Sequence, residues 1–132
     1  MPRWIPENAV RAIHAQLLDE HGGVPGPPDI QKLQSTLARP KNVLAYGGNP
    51  AGPSLADLAA AYGFGFAKNH CFPDGNKRLA LASIDVFLEM NGRELTAGEV
   101  EGAAIIEMVA NDELDQEGLA LWIAANSAPL AP

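Results

Sequence analysis

The stretch LALASIDVFLEMNG, residues 79–92, is strongly apolar and decides the fold. Drawn as a helix, it shows leucine, isoleucine, valine and phenylalanine on nearly every side, whereas a surface helix keeps a wide polar face. Asn91 and Gly92 stand where such a helix would end. We therefore expect a buried central helix around which the other elements pack.

Five further segments show the helical spacing of apolar residues, and Gly- or Pro-rich segments separate them. They begin near Pro6, Asp29, Ser54, Thr96 and Asp115. No segment shows a convincing alternation of apolar and polar residues, the pattern of a half-buried strand. The chain is therefore predicted to be all-α, a compact bundle of about six helices in a single domain spanning residues 1–132.

Local signals predict where some of these helices begin and end. Residues 54–57 and 96–99 each match the capping box, in which the first side chain and the fourth satisfy backbone groups at a helix start. Pro40 predicts the end of the second helix, because a proline inside a helix removes a hydrogen bond. The tail, residues 127–132, is expected to fray.

The composition excludes several classes of protein. The chain has 132 residues, enough for one domain with its own core. The single cysteine, Cys71, excludes an internal disulfide scaffold and a zinc finger. Acidic residues outnumber basic ones by 16 to 9, which argues against direct binding of nucleic acid. No apolar run reaches the ~20 residues of a membrane span, and no secretory signal is visible, so we expect a cytoplasmic protein.

Two Gly-containing segments are candidates for ligand-binding loops. Gly63 and Gly65 lie inside a predicted helix, within GFGFAK, which lacks the GxxxxGK[ST] pattern of a phosphate loop. We expect them to allow close approach of another helix. Residues 41–53, rich in Gly and Pro towards their end, are predicted to form a long loop or short hairpin. This segment is a candidate flap for docking a target peptide, or else a mobile connector.

The nine residues HCFPDGNKR, 70–78, concentrate the chemistry between two predicted helices. His70 is of the residue type most often used as a general base near neutral pH. Asp74 offers a carboxylate to Mg²⁺, a cation that takes one or two carboxylates together with phosphate oxygens. Each residue alone also has a simpler role, His70 as the cap of a helix and Asp74 as part of a turn or the cap of the next helix.

The end of this segment favours an anion. Gly75, Asn76 and Lys77 open the following helix, where free backbone N–H groups and the helix dipole attract negative charge. Lys77 and Arg78 add positive charge, although they could also be a solvated helix start. A base, a metal carboxylate and an anion cradle within nine residues are typical of phosphoryl or nucleotidyl transfer.

HCFPDGNKR resembles the motif of the Fic/Doc family, whose Fic branch reads HPFx[DE]GNGRxxR and whose Doc branch reads HxFx[DN][AG]NKR. The match is to the Doc branch, because the Fic branch has Gly where this chain has Lys77 and a second Arg where it has Leu81. Other stretches also resemble Doc-type sequences, so that the resemblance extends over nearly the whole chain: GGVPGPPD (22–29), LARP (37–40), LADLAAAY (55–62) and FLEMNG (87–92).

The resemblance implies a helical Fic fold that binds ATP and Mg²⁺ at the motif loop. In such a site His70 would take the proton from a hydroxyl of a target protein, and Asp74 would hold the metal. The phosphates would be bound by Gly75, Asn76, Lys77 and Arg78.

The Doc branch further implies that the nucleotide lies in a reversed sense and that its γ-phosphoryl group goes to a threonine of elongation factor Tu, which blocks translation. The chain would then be the toxin of a toxin–antitoxin system. The inhibitory pattern [ST]xxxE[GN] of many Fic proteins is absent from this sequence, so inhibition would come from an antitoxin whose C-terminal segment folds into a groove. The alternatives are transfer of AMP to a protein hydroxyl, or a non-catalytic partner that only binds the antitoxin.

Overall fold

The computed structural model describes residues 1–47 and 52–131, which form six helices and one two-stranded sheet. In chain order the elements are α1 (Glu7–His21), α2 (Ile30–Tyr46), α3 (Leu55–Asn69), α4 (Asn76–Met90), β1 (Arg93–Leu95), α5 (Glu99–Ala110), α6 (Gln116–Ala125) and β2 (Ser127–Pro129). The predicted all-α bundle is confirmed. None of the described helices has the length and apolar character needed to cross a membrane.

The centre of the bundle is the packed pair of α3 and α4. α3 buries ten of its fifteen residues, and α4 contributes fully buried side chains such as Ile84 and Phe87. The glycines of α3 allow this packing, because a Cβ on Gly63 would lie 2.5 Å from Ile84 Cδ1 and one on Gly65 would lie 2.8 Å from Thr36 Cγ2 in α2. The prediction of close helix approach at these glycines is confirmed.

α2 does not end at Pro40, so that prediction is wrong. The helix continues to Tyr46 with the proline ring buried inside it, and Val43 and Leu44 pack against the core one turn further on. Burial of these side chains outweighs the one hydrogen bond that the proline cannot donate. The predicted 41–53 loop is therefore wrong for residues 41–46, and residues 48–51 of the candidate flap lie outside the described residues.

The short sheet was not predicted. β1 and β2 pair antiparallel, with Arg93 opposite Pro129 and Leu95 opposite Ser127, so residues 127–129 do not fray as expected. Strands of three residues are too short to show an alternating pattern in the sequence.

Helix caps follow the local signals in most places. The side chains of Asp29, Ser54 and Asp115 accept from backbone N–H groups at the starts of α2, α3 and α6, and Ser54 and Asp57 form the predicted capping box. The capping box predicted for residues 96–99 is wrong. α5 follows Gly98 without a side-chain cap, because the Thr96 N–H donates to Asn126 O at 2.6 Å and extends the sheet instead.

Candidate active site

The motif loop joins the end of α3 to the start of α4 and faces a cavity of about 670 Å³. This size is typical of small-molecule sites. All six residues predicted for the site line the cavity: His70, Asp74, Gly75, Asn76, Lys77 and Arg78. The opposite wall belongs to α5 and includes Ala103, Ile106 and Glu107.

His70 caps the C-terminus of α3 in the left-handed backbone region, with φ 50° and ψ 52°. A residue other than glycine is uncommon in this region. The side chain is exposed to solvent at the cavity. His70 therefore caps α3 and also lies at the cavity, where a general base could act.

Asp74 is held by the backbone through both carboxylate oxygens. Oδ2 accepts from Val24 N–H at 3.0 Å and Oδ1 accepts from Gly75 N–H at 2.8 Å. These two bonds, Val24 first, lower the pKa of the Asp74 carboxyl below its ordinary value. The carboxylate is therefore ionised at neutral pH. Because each oxygen keeps a further lone pair, it retains acceptor sites for a metal.

Asp74 fits Mg²⁺ better than it fits a metal caged by protein alone. Within residues 1–47 and 52–131, no three His, Cys, Asp or Glu side chains come together as a metal site. Mg²⁺ commonly takes one or two carboxylates and completes its shell with phosphate oxygens and water. Asp74, a single exposed carboxylate beside the uncapped start of α4, is compatible with this coordination.

The start of α4 offers unpaired backbone donors. Gly75 precedes the helix with φ 80°, and no side chain of the described residues caps it. The first backbone bond of the helix runs from Leu79 N–H to Gly75 O, so the N–H groups of residues 76–78 precede the intrahelical ladder. Such groups, together with the helix dipole, favour a phosphate.

Asn76 has its side chain engaged within the loop. Its Oδ1 accepts from Phe72 N–H at 3.1 Å, and its Nδ2 donates to Phe72 O at 2.8 Å. The side chain therefore fixes the shape of the motif loop, and the backbone N–H is the donor that Asn76 can offer to a phosphate. The sequence predicted a phosphate contact for Asn76 but gave no sign of this structural role.

Two cations at the cavity are paired with carboxylates from the α5 side. Lys77 Nζ donates to both oxygens of Glu107, at 3.1 and 3.0 Å. Lys68 pairs with Asp112, which follows α5. Arg78 forms no ion pair with any described residue. Nothing in the local sequence indicated Glu107, since its partner lies thirty residues away.

His14 is a residue of the site that sequence reasoning missed. It is 4% exposed and stacks on Phe72 with ring centroids 3.7 Å apart. Its Nε2 lies 2.8 Å from Asp74 O, and because a carbonyl can only accept, Nε2 carries the hydrogen. Helical spacing from Val10 to Leu18 was the available signal for its burial.

The Gly- and Pro-rich segment 22–29 supports the motif loop. Besides the Val24 bond to Asp74, the Asp29 N–H donates to Cys71 O at 2.8 Å. A Cβ on Gly26 would lie 2.9 Å from Pro73 Cγ. The two loops therefore lie in contact along their length, and the first fixes the second.

A model of the Fic/DOC family matches residues 4–88. The chain belongs to the Fic/DOC family. The matched part runs from the segment before α1 through most of α4 and includes the whole motif loop.

Two relatives of this Fic/DOC protein are informative. Over 118 residues, 83% of this chain and 91% of the relative, it is 30% identical to the protein named Protein kinase doc of Escherichia phage P1. Over 102 residues, 76% of this chain and 77% of the relative, it is 37% identical to Toxin Doc of Mycolicibacterium smegmatis. Both relatives carry the Doc name, so the predicted membership of the Doc branch is confirmed.

Proposed function

We propose that this Doc-branch protein is the toxin of a toxin–antitoxin system and that it transfers the γ-phosphoryl group of ATP to a protein hydroxyl, a threonine of elongation factor Tu. One observation carries the proposal: His70, Asp74 and the uncapped start of α4 face the same cavity. The names of the relatives support it, since one is called a protein kinase and the other a toxin.

The reaction assigns a task to each group. A bond forms between the hydroxyl oxygen and the γ-phosphorus, the bond from that phosphorus to the β–γ bridging oxygen breaks, and ADP leaves. His70 takes the hydroxyl proton. Asp74 would hold Mg²⁺, which would neutralise phosphate charge. The backbone around Gly75 and Asn76 and the side chains of Lys77 and Arg78 hold the phosphates.

Lys77 favours phosphoryl transfer over AMP transfer. The Fic branch has glycine at this position, whereas here a lysine side chain lies at the cavity and reaches across it to Glu107 on α5. The side chain takes up space and adds charge where a glycine would leave room. A nucleotide in this cavity must therefore lie differently from one in a Fic-branch site.

An exposed strip on α5 supports the proposal of an antitoxin. Val100, Ala104 and Met108 follow one another at four-residue spacing and are all exposed, Val100 by 87%. The neighbouring Ala103 and Glu107 line the cavity. An amphipathic segment bound along this strip would lie at the mouth of the site, as in helix-in-groove recognition.

Labelled ATP tests the proposed reaction directly. The protein is incubated with elongation factor Tu and Mg²⁺, once with γ-labelled and once with α-labelled ATP. Label from the γ position is expected on the factor. Label only from the α position would indicate AMP transfer instead, and no label from either would refute group transfer to this factor.

The variant His70→Ala should abolish the transfer, because no other group is assigned to take the hydroxyl proton. His21→Ala is the matched control, since His21 is exposed at the end of α1 and does not line the cavity. In growth assays, His70→Ala should lose toxicity. A His70→Ala protein as toxic as the parent would contradict catalysis and favour a non-catalytic partner.

A further inference from the structure

A buried threonine on α2 contacts the residues on both sides of His70. Thr36 is 0% exposed. Asn69 Nδ2 donates to Thr36 Oγ1 at 2.7 Å, and Cys71 Sγ lies 3.3 Å from the same oxygen. Asn69 and Cys71, which flank the candidate base, therefore both form a hydrogen bond with the Thr36 hydroxyl.

The hydrogen bonds of this hydroxyl are fully used. Thr36 Oγ1 donates its one hydrogen to Lys32 O at 2.8 Å, so its two lone pairs accept from Asn69 and from the thiol of Cys71. Burial raises the pKa of the Cys71 thiol, which keeps its hydrogen in place for that bond. A hydroxyl with all of its bonding capacity used has one preferred orientation.

His70 depends on such support. Its own side chain is exposed, so packing around the ring does not fix it, and its left-handed backbone is one that few non-glycine residues adopt. Strained conformations of this kind persist only where the surroundings hold them. The backbone on either side of His70 is held by the contacts of Asn69 and Cys71 to Thr36, together with the Asp29 bond to Cys71 O.

We propose that Thr36 is a positioning residue for His70: its hydroxyl holds both flanking residues and thereby keeps the imidazole at the cavity in the orientation that receives the proton. The proposal rests on the proposed function as far as proton transfer is concerned. The placement of His70 is a separate property and can be measured without any reaction.

Two variants of Thr36 separate positioning from simple stability. Thr36→Val keeps the size of the side chain and loses the hydroxyl, whereas Thr36→Ser keeps the hydroxyl and loses the methyl group that packs against Gly65. We expect Thr36→Val to lower kcat about tenfold, because a base displaced by a fraction of an ångström transfers protons poorly. Its KM for ATP should stay within about twofold of the parent.

Thr36→Ser should retain kcat within about twofold, although the loss of its buried methyl group lowers the melting temperature. Asn69→Ala should reproduce the effect of Thr36→Val, and the combination of the two should add little, because both remove the same bond. The proposal is wrong if Thr36→Val retains its kcat, or if kcat falls in all variants in proportion to their melting temperatures.

Nuclear magnetic resonance of the histidine rings tests positioning without nucleotide or target. The signals of His70 are identified by their loss in His70→Ala. They should shift or broaden in Thr36→Val and not in Thr36→Ser, with those of the distant His21 unchanged in both. Unchanged His70 signals in Thr36→Val would overturn the proposal even if the protein is an active kinase. If the His70 signals shift in Thr36→Val but the parent protein shows no transfer activity, the placement of His70 by Thr36 is supported and the proposed reaction is refuted.

Discussion

At the scale of single residues, Asp74 is bound by backbone N–H groups through both of its carboxylate oxygens, and an asparagine has only one oxygen to offer. In Asp74→Asn the amide therefore turns a donor towards the N–H of Val24 or of Gly75. A neutral amide is also a poorer ligand for Mg²⁺. We expect a several-fold rise in the Mg²⁺ concentration that half-saturates transfer.

Asp19→Asn is the matched control, because Asp19 is exposed on α1 and does not line the cavity. Titration of activity against Mg²⁺ for the three proteins measures the effect. An unchanged Mg²⁺ requirement in Asp74→Asn would show that Asp74 does not hold the metal.

The same substitution also changes the dependence of stability on pH. The pKa of Asp74 lies below its ordinary value of 3.8, chiefly through the Val24 and Gly75 bonds. Because the folded-state pKa is the lower one, the carboxylate stabilises the fold above the ordinary value, and this contribution is lost as the pH falls through the folded-state value. Melting temperatures of parent and Asp74→Asn should differ at pH 7 and converge below about pH 4. A constant difference would contradict this linkage.

Glu107 places a negative charge in a cavity that we propose for a triphosphate. In Glu107→Gln, Lys77 is released from its pair, and one charge about 4 Å from a phosphate in a water-like medium is worth about 1 kcal/mol. We expect Mg²⁺·ATP to bind about fivefold more tightly. Because the pair is half exposed, stability should change by less than about 0.5 kcal/mol.

Calorimetric titration of the nucleotide measures this change. Glu101→Gln, an exposed acid on the same helix that does not line the cavity, should leave the affinity unaltered. Weaker binding in Glu107→Gln would mean instead that Glu107 holds Lys77 in the position that the phosphates require.

At the scale of elements, the contact of α3 with α4 depends on Gly63. In Gly63→Ala the new Cβ would lie 2.5 Å from Ile84 Cδ1 and 3.3 Å from Leu119 Cδ2. Overpacking of this kind destabilises by about 1–3 kcal/mol. Chemical denaturation should show that loss in the free energy of unfolding.

The variant Ile84→Val supplies the control, since it removes the Cδ1 atom that meets the new methyl group. The double variant should be more stable than the sum of the two single effects predicts. Strict additivity would show that the two helices do not meet at this contact.

Much of the element pattern could be predicted from the sequence, and the failures have one cause. The helix starts at Asp29, Ser54 and Asp115 could be predicted because the caps there bind backbone groups only three positions away. The continuation of α2 past Pro40 and the pairing of β1 with β2 depend on contacts with distant parts of the chain. Local signals cannot show such contacts. They therefore predicted the wrong end for α2 and a frayed tail in place of β2.

At the scale of the whole molecule, an acidic protein with a net charge of −7 is proposed to bind a polyanion, which requires local positive charge at the cavity. If Mg²⁺·ATP binds there, it stabilises the folded state by about 2.7 kcal/mol at one hundred times its dissociation constant. For a chain of this size we expect the melting temperature to rise by roughly 10 °C.

A thermal melt with Mg²⁺·ATP measures this shift, with Mg²⁺ alone and ATP in a chelator as controls. Lys77→Gln combined with Arg78→Gln should reduce it, because these side chains supply charge beside the start of α4. A melting temperature that does not change at millimolar nucleotide would contradict ATP binding by the protein.

The sequence by itself determined the helical class, the starts of most helices and the six predicted site residues that line the cavity. It could do so because apolar spacing, caps and the HCFPDGNKR motif are all read over short distances along the chain. Only the tertiary structure decided how that motif is held: by His14 from α1, Thr36 from α2, the 22–29 loop and Glu107 from α5. Those contacts join residues far apart in the chain, and their formation depends on the packing of the helices rather than on any local pattern.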